Sequence, residues 1–130
     1  MSEKAAPRYD GFYPGRAPID SYGNGGFRFA GMSHRGSLLL LPGGIKAWPV
    51  TRPDEVGFET LAPLIAEKAE IEIFLYGSGA TQVFPPKALK EGLAERGLFI
   101  ETMTTGAACR TYNLLLGEGR AVAAALLRID

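Results

Sequence analysis

The chain has 130 residues, of which 46% are hydrophobic and 22% are charged, with 14 basic and 14 acidic side chains. This length is enough for one domain with a single core and is short for two. The zero formal charge and the lack of a basic cluster disfavour nucleic-acid binding. The longest apolar runs, 38–41 and 121–127, fall far short of a membrane span.

The cysteine and histidine content limits the chemistry further. A single cysteine, Cys109, cannot form an internal disulfide. One cysteine and one histidine in the whole sequence are too few for a structural zinc site. The start Met-Ser-Glu-Lys lacks the apolar stretch of a secretory signal. We therefore expect a cytoplasmic protein that needs no metal or other cofactor.

The N-terminal segment lacks periodicity. Residues 1–10 are polar and predict a flexible tail before a single α/β domain over residues 11–130. Aromatic side chains cluster close to this boundary and suggest either a protein-binding patch or, as is more common, packing against the domain. These aromatic residues are Tyr9, Phe12, Tyr13 and Tyr22.

Three short runs predict an antiparallel β meander before any helix. The runs 19–22 and 27–30 flank Gly23-Asn24-Gly25-Gly26, whose Asn-Gly pair favours a tight hairpin turn. In the second run, Phe27 and Phe29 are expected to face inward and Arg28 outward. Residues 31–36 are expected to turn the chain into a third, apolar strand over 37–41.

The pattern then changes to alternating helices and strands. Residues 45–50 predict a further short strand, and apolar spacing of three to four residues predicts a helix over Thr60–Lys68. Pro63 is expected either to kink this helix or to lie in its first turn. Ile71–Tyr76 predicts a strand, and Lys87–Arg96 predicts a second helix that begins after two prolines.

The last third of the chain continues this alternation. Leu98–Met103 predicts a strand, a third helix follows Thr105, and the apolar segment Ala121–Ile129 suits a central strand after a glycine stop. Parallel strands need crossover helices to cover them. The order therefore predicts a three-layer α/β domain with a mixed central sheet of about five strands, helices on its faces and the N-terminal meander.

The carboxyl ends of two predicted strands are the candidate ligand site, because ligands bind there in open α/β sheets. Gly77, Ser78 and Gly79 follow one strand, and the N-cap types Thr104 and Thr105 follow the next. Backbone amides of both segments are suited to an anion. The proposed ligand-binding set is completed by two residues of the following helix, Arg110 and Asn113.

Structural explanations that involve no ligand exist for these residues and for the neighbouring Cys109. The glycines do not match a phosphate loop or a dinucleotide fingerprint, so a structural turn is the more common explanation. Arg110 is equally suited to pair with Glu118 or Glu101 and stabilise the fold. Cys109 lies on the apolar stripe of its helix, which favours a buried small residue over a nucleophile.

No catalytic set is apparent in the sequence. Ser78 lies between glycines, but there is no Gly-x-Ser-x-Gly elbow and no downstream histidine that would act as a base. The carboxylates are scattered over different predicted elements and form no metal-binding group. The residues therefore favour a protein that is not an enzyme, and the alternative is a small-molecule or anion-binding protein or an enzyme that uses the crevice formed by 77–79 and 104–110.

Four segments carry a resemblance to a known family. They are Ile19-Asp-Ser-Tyr-Gly-x-Gly-Gly-Phe-Arg-Phe, Gly36-Ser-Leu-Leu-Leu, Leu75-Tyr-Gly-Ser-Gly and Glu101-x-Met-x-Thr-x-Ala-x-Cys-Arg-Thr-Tyr-Asn-x-Leu-x-x-Glu-Gly-Arg-x-Val-Ala-Ala-Ala-Leu. Together they resemble the domain of unknown function family 498, from about Ile19 to the C-terminus. Ser78 stands where many relatives are expected to carry threonine, which is a conservative change.

The resemblance implies a fold and a class of function. It implies a mixed five-stranded sheet between helices, in agreement with the order of elements above, and it implies no established catalytic residues. The family includes small bacterial proteins and, in mitochondria, the third assembly factor of respiratory complex I. A protein-binding or assembly role, with respiratory-complex subunits or other assembly proteins as partners, is therefore expected. Such a partner would hold the protein peripherally at the inner membrane.

Overall fold

The computed structural model describes residues 12–130, so the predicted tail over 1–10 lies outside the described residues. Strands and helices follow one another in the order β1 (Phe12–Tyr13), β2 (Ile19–Gly23), β3 (Gly26–Phe29), β4 (Met32–Arg35), β5 (Ser37–Leu41), β6 (Gly44–Trp48), α1 (Ala62–Ala66), β7 (Ile73–Gly77), α2 (Lys87–Glu95), β8 (Ile100–Met103), α3 (Thr105–Gly117) and β9 (Val122–Leu126).

The meander β2-β3-β4 forms its own three-stranded antiparallel sheet. Asn24 and Gly25, with φ of 53° and 80°, form the predicted tight turn between β2 and β3. Ala30 and Gly31, with φ of 51° and 75°, form a second two-residue turn. Residues 31–36 are therefore not a simple turn as predicted, because this second turn folds the polar segment Met32–Arg35 back onto β3 as a strand.

The main sheet has six strands in the order β1-β6-β5-β9-β7-β8. Strands β1, β6, β5 and β9 pair antiparallel, whereas β9, β7 and β8 pair parallel, so the sheet is mixed as predicted. The predicted third strand of the meander, β5, belongs to this sheet instead. The sheet exceeds the predicted five strands because the two residues of β1 pair with β6.

The helices begin where local sequence signals place them. Pro63 occupies the first turn of α1, where its missing N–H breaks no helical hydrogen bond. This helix is shorter than predicted and is followed by a turn of 3₁₀ helix over Lys68–Glu70. Pro86 precedes α2, and Gly97, with φ of 82°, ends the segment after it.

The main sheet separates two hydrophobic layers. One layer contains Phe74 and Tyr76 of β7 together with buried leucines of α1 and α2. The other contains Leu75 of β7, the buried side of α3 and the two phenylalanines of β3. The meander and α3 thus cover one face of the sheet, and α1 and α2 cover the other, which confirms the three-layer prediction.

The central position of β9 explains its alanine-rich sequence. All five residues of Val122–Leu126 are buried between β5 and β7. Beside it, Gly77 at the end of β7 lets α3 approach closely, since a Cβ on Gly77 would lie 2.9 Å from Cα of Thr105 and 3.1 Å from Cβ of Ala108. Small residues therefore set the short distance between helix and sheet at this end.

Replacing Gly77 with alanine is expected to destabilise the protein, because the added methyl group meets backbone that cannot move without shifting α3. The expected loss in free energy of unfolding is about 1–3 kcal/mol, as for other overpacked sites. Urea denaturation followed by circular dichroism measures it. Gly57→Ala is the control, because nothing lies within 4 Å of its Cβ position. Equal stability of the two variants would contradict the close approach.

Candidate functional site

The predicted ligand site is a junction where β7, β9 and α3 meet, and the Thr105 hydroxyl lies at its centre. This side chain is fully buried at the first turn of α3. Its Oγ1 accepts a hydrogen bond from the backbone N–H of Gly79 at 2.9 Å and donates one to the carbonyl of Leu127 at 2.6 Å. One hydroxyl therefore joins the segments that follow β7 and β9 to the start of α3.

The Ser78 side chain closes the turn that follows β7. Its hydroxyl donates to the carbonyl of Thr81 at 2.7 Å and accepts from the backbone N–H of Val83 at 2.8 Å. The backbone N–H of Ser78 donates to the carbonyl of Met103 at 2.9 Å and so extends the pairing of β7 with β8. The Ser78 hydroxyl and amide both have partners within the protein.

Thr104 performs the capping role that its residue type predicts. Its backbone is extended, and its hydroxyl accepts from the backbone N–H of Ala107 at 3.3 Å. Next to it, the N–H of Thr105 donates to the carbonyl of Gly79 at 2.9 Å. Two amides at the start of α3 are therefore bonded to groups of the protein itself.

Asn113 lies farther along α3 and attaches the meander to it. Its Oδ1 accepts from the backbone N–H of Ile19, and its Nδ2 donates to the carbonyl of the same residue, both at 2.8 Å. This two-point contact is the docking of β2 onto the helix. Asn113 thus has a structural role at a place separate from the strand ends.

Arg110 is exposed on α3, one turn after Gly106. A Cβ on Gly106 would overlap the Tyr22 hydroxyl and lie 3.5 Å from Nη1 of Arg110, so the guanidinium and the phenol lie over the first turn of the helix. The structure therefore brings Gly77, Ser78, Gly79, Thr104 and Thr105 together at the junction. Arg110 lies at its outer side, and ligand binding by this set stays a prediction.

Cys109 lies on the inner side of α3 and is buried, as its place on the apolar stripe predicts. Burial raises the pKa of its thiol to about 12, and the nearby charge of Arg110 opposes this only in part. A thiol with such a pKa is protonated at neutral pH and is a poor nucleophile. The side chain serves packing between α3 and the sheet.

An exposed aromatic segment that sequence reasoning missed lies between β7 and α2. Phe84 is 69% exposed and Val83 is 40% exposed. Phe84 forms a shared wall of two surface depressions of about 540 and 320 Å³. The first is completed by Arg52, Pro53 and Asp54, and the second by residues of α2 and β8. The signal in the sequence was the apolar string Val83-Phe84-Pro85-Pro86, which belongs to no helix or strand.

Residues 12–130 contain neither a metal-binding cluster nor a membrane-spanning helix. Among residues 12–130, no three His, Cys, Asp or Glu side chains are grouped so as to hold a metal ion. In the same range, no helix combines the length and the apolar character that crossing a bilayer requires.

The architecture defines a small mixed α/β domain, and several solved bacterial proteins share this fold. One is the crystal structure described as an outer membrane protein from Bartonella henselae. It is 47% identical, has a TM-score of 0.86, and the match covers 91% of this chain and 99% of that one. The chain belongs to the family described as "Protein of unknown function (DUF498/DUF598)", whose pattern matches residues 19–127.

Curated relatives extend the comparison. An uncharacterized protein of Rhodobacter capsulatus is 44% identical over 122 residues, which are 94% of this chain and 92% of the relative. The mouse NADH dehydrogenase [ubiquinone] 1 alpha subcomplex assembly factor 3 is 33% identical over 116 residues, which are 88% of this chain and 62% of the relative. The chain thus spans about three fifths of the length of that assembly factor.

Replacing Thr105 with valine tests the junction. The substitution keeps the shape of the side chain but leaves the N–H of Gly79 and the carbonyl of Leu127 without their partner. The expected loss in free energy of unfolding is about 2–4 kcal/mol, measured by urea denaturation. Thr105→Ser is the matched control, because it keeps the hydroxyl and removes one methyl group, for an expected loss of about 1 kcal/mol. Equal losses in the two variants would show that the hydroxyl bonds do not matter.

Thiol labelling tests the burial of Cys109. Because the thiolate is the reacting species, a disulfide reagent at pH 8 is expected to modify the folded protein at least ~100-fold more slowly than the chain in urea. Absorbance of the released thiolate gives both rates. Rapid labelling of the folded protein would place Cys109 at an accessible surface and contradict its packing role.

Proposed function

We propose that this protein is a non-enzymatic protein-binding factor that assists the assembly of a larger complex, and that its partners are components or other assembly proteins of respiratory complex I. The proposal is supported by the curated relatives named as assembly factors of this complex, at 30% identity for the human protein and 33% for the mouse protein. Under this proposal the protein is cytoplasmic and reaches the inner membrane through its partner.

The observation that carries the proposal is the exposure of Phe84. Large exposed aromatic side chains flanked by depressions are typical of protein-binding surfaces, where they act as anchors. We define the aromatic docking surface as Arg52, Pro53 and the segment Val83–Pro86. Residues of this surface line part of each depression, and Phe84 is a wall of both. A partner side chain that packs on either side of the ring would bury much of its exposed area.

The exposed edge of the main sheet also favours protein binding at the aromatic docking surface. Strand β8 is the last strand of the sheet and pairs only with β7 among the described strands. Ile100 and Thr102 line the second depression together with Phe84. An edge strand offers unpaired backbone groups to which a partner strand is able to hydrogen-bond, and this pairing extends the sheet. One such group, the carbonyl of Thr102, already accepts a hydrogen bond from Nε2 of Gln82 at 2.9 Å. This carbonyl is therefore less available to a partner strand.

The alternative function is that of a small-molecule or anion-binding protein, or of an enzyme, that uses the crevice between Gly77–Gly79 and Thr104–Arg110. The position of Arg110 over the first turn of α3 favours it. Against it, the hydroxyls of Ser78, Thr104 and Thr105 already have partners within the protein. The alternative therefore stays a prediction, and we favour the binding role at the aromatic docking surface.

Affinity purification of the tagged protein after mild crosslinking, at native expression level, tests the proposal. The wild type is expected to recover complex I subunits or their assembly proteins, identified by mass spectrometry. Phe84→Asp is expected to lower this recovery at least ~10-fold, because it removes the aromatic anchor and places a charge in an apolar contact. The side chain is exposed, so the fold is expected to be unaffected.

Leu114→Asp is the matched control. Leu114 is 62% exposed on α3, which covers the opposite face of the sheet, so this variant is expected to recover partners as the wild type does. Arg110→Ala separates the two candidate surfaces: loss of partners with this variant alone would place the contact at the start of α3. Recovery of no specific partner by the wild type would overturn the assembly role.

A further inference from the structure

The outer face of the meander carries a feature that the proposed assembly role does not use. Antiparallel register sets Arg28 directly opposite Ser21 on one side and Ser33 on the other. Two positions before Arg28 on β3, Gly26 lies on the same face, opposite Gly23 of β2 and Arg35 of β4. We call these six positions the outer meander face.

Two arginines on this face are diagonal neighbours. Arg28 is paired with Ser33, and Arg35 is paired with Gly26, which places their Cα atoms roughly 7–8 Å apart on one side of the sheet. Both side chains are exposed, and neither forms an ion pair with a carboxylate within residues 12–130. Like charges at this spacing repel each other unless an anion lies between them.

The two glycines of this face have different surroundings. Nothing lies within 4 Å of the Cβ position of Gly23, whereas a Cβ on Gly26 would overlap the carbonyl oxygen of His34, so the backbone of β4 lies close to β3 at Gly26. The face contains a shallow depression of about 350 Å³. The two arginines, the two serines and the two glycines are among its lining residues.

The polar groups that line the depression are those that recognise phosphate. They include two arginines, hydroxyl groups, His34 and the amide of Asn24, and no carboxylate is among the described lining residues. A third guanidinium, of Arg128, lies 3.5 Å from the Cβ position of Gly25, but its charge is already paired with Asp130 at 2.7 Å. Arginine binds phosphate through two parallel hydrogen bonds, which a carboxylate-free lining leaves available.

We propose that the outer meander face is a phosphate-binding site in which Arg28 and Arg35 hold one phosphate group beside Gly23 and Gly26. Ser21 and Ser33 flank Arg28 and supply hydroxyl donors. The site is distinct from the aromatic docking surface and does not depend on the assembly role. The depression is open and shallow, so a phosphate on a small molecule and a phosphate on a lipid headgroup both fit its chemistry.

Titration of the ¹⁵N-labelled protein with inorganic phosphate tests the site, with sodium chloride used to hold ionic strength constant. The expected result is saturable shifts of the amides of β3 and β4, including Arg28 and Arg35. Arg28→Gln and Arg35→Gln are each expected to weaken binding at least ~10-fold, because each removes a charge-assisted pair. Arg96→Gln, at an exposed arginine directly after α2, is the charge-matched control and is expected to bind as the wild type does.

Sedimentation with vesicles distinguishes the two sources of phosphate. One set contains phosphatidylcholine alone, and the other contains phosphatidylcholine with 20% phosphatidic acid. Arginine-dependent cosedimentation with the second set assigns the site to a lipid headgroup, whereas phosphate binding without cosedimentation assigns it to a small molecule. Absence of both kinds of binding, or binding that is equal in the wild type and both arginine variants, would overturn the proposal.

Discussion

The buried hydroxyl of Thr105 is the interaction on which the arrangement of the domain depends. It bonds to the chain just after β7 and to the chain just after β9, at Gly79 and Leu127. Both partners are backbone groups at the end of the sheet that would otherwise be buried without a hydrogen bond. Because Thr105 also begins α3, the same hydroxyl fixes the helix against the two central parallel strands.

Small side chains make this short connection possible. Gly77 and the alanines of β9 have little or no side chain between the sheet and the helix. The helix α3 therefore lies close enough for the Thr105 side chain to reach the ends of two strands. Asn113 makes a similar connection farther along the helix, where its side-chain amide bonds to both the N–H and the carbonyl of Ile19. Polar side chains that a sequence reader assigns to a ligand thus hold the layers together. In our account, recognition takes place on the outside, at the aromatic docking surface and the outer meander face.

The sequence predicted what local signals determine. The Asn24-Gly25 turn, the proline at the start of α1 and the Thr104 cap lie where their residue types predict. Strand β4 was missed because its polar sequence has no strand signature and forms only by pairing with β3. The strand ends of the predicted crevice do meet, but the Thr105 hydroxyl there bonds to two segments distant in the sequence, which local signals do not reveal, and ligand binding at this place stays a prediction. Phe84 was missed because an apolar string does not reveal whether it is covered.

Hydrogen exchange of the Gly79 amide, followed by NMR, tests the central claim most directly. This amide follows the end of β7 in a connecting segment, and its only predicted protection is the Thr105 hydroxyl. Our account predicts exchange as slow as that of the central strands, limited by global unfolding. Exchange at the rate of an open loop would contradict it, because the strand ends would then be open and available to a ligand.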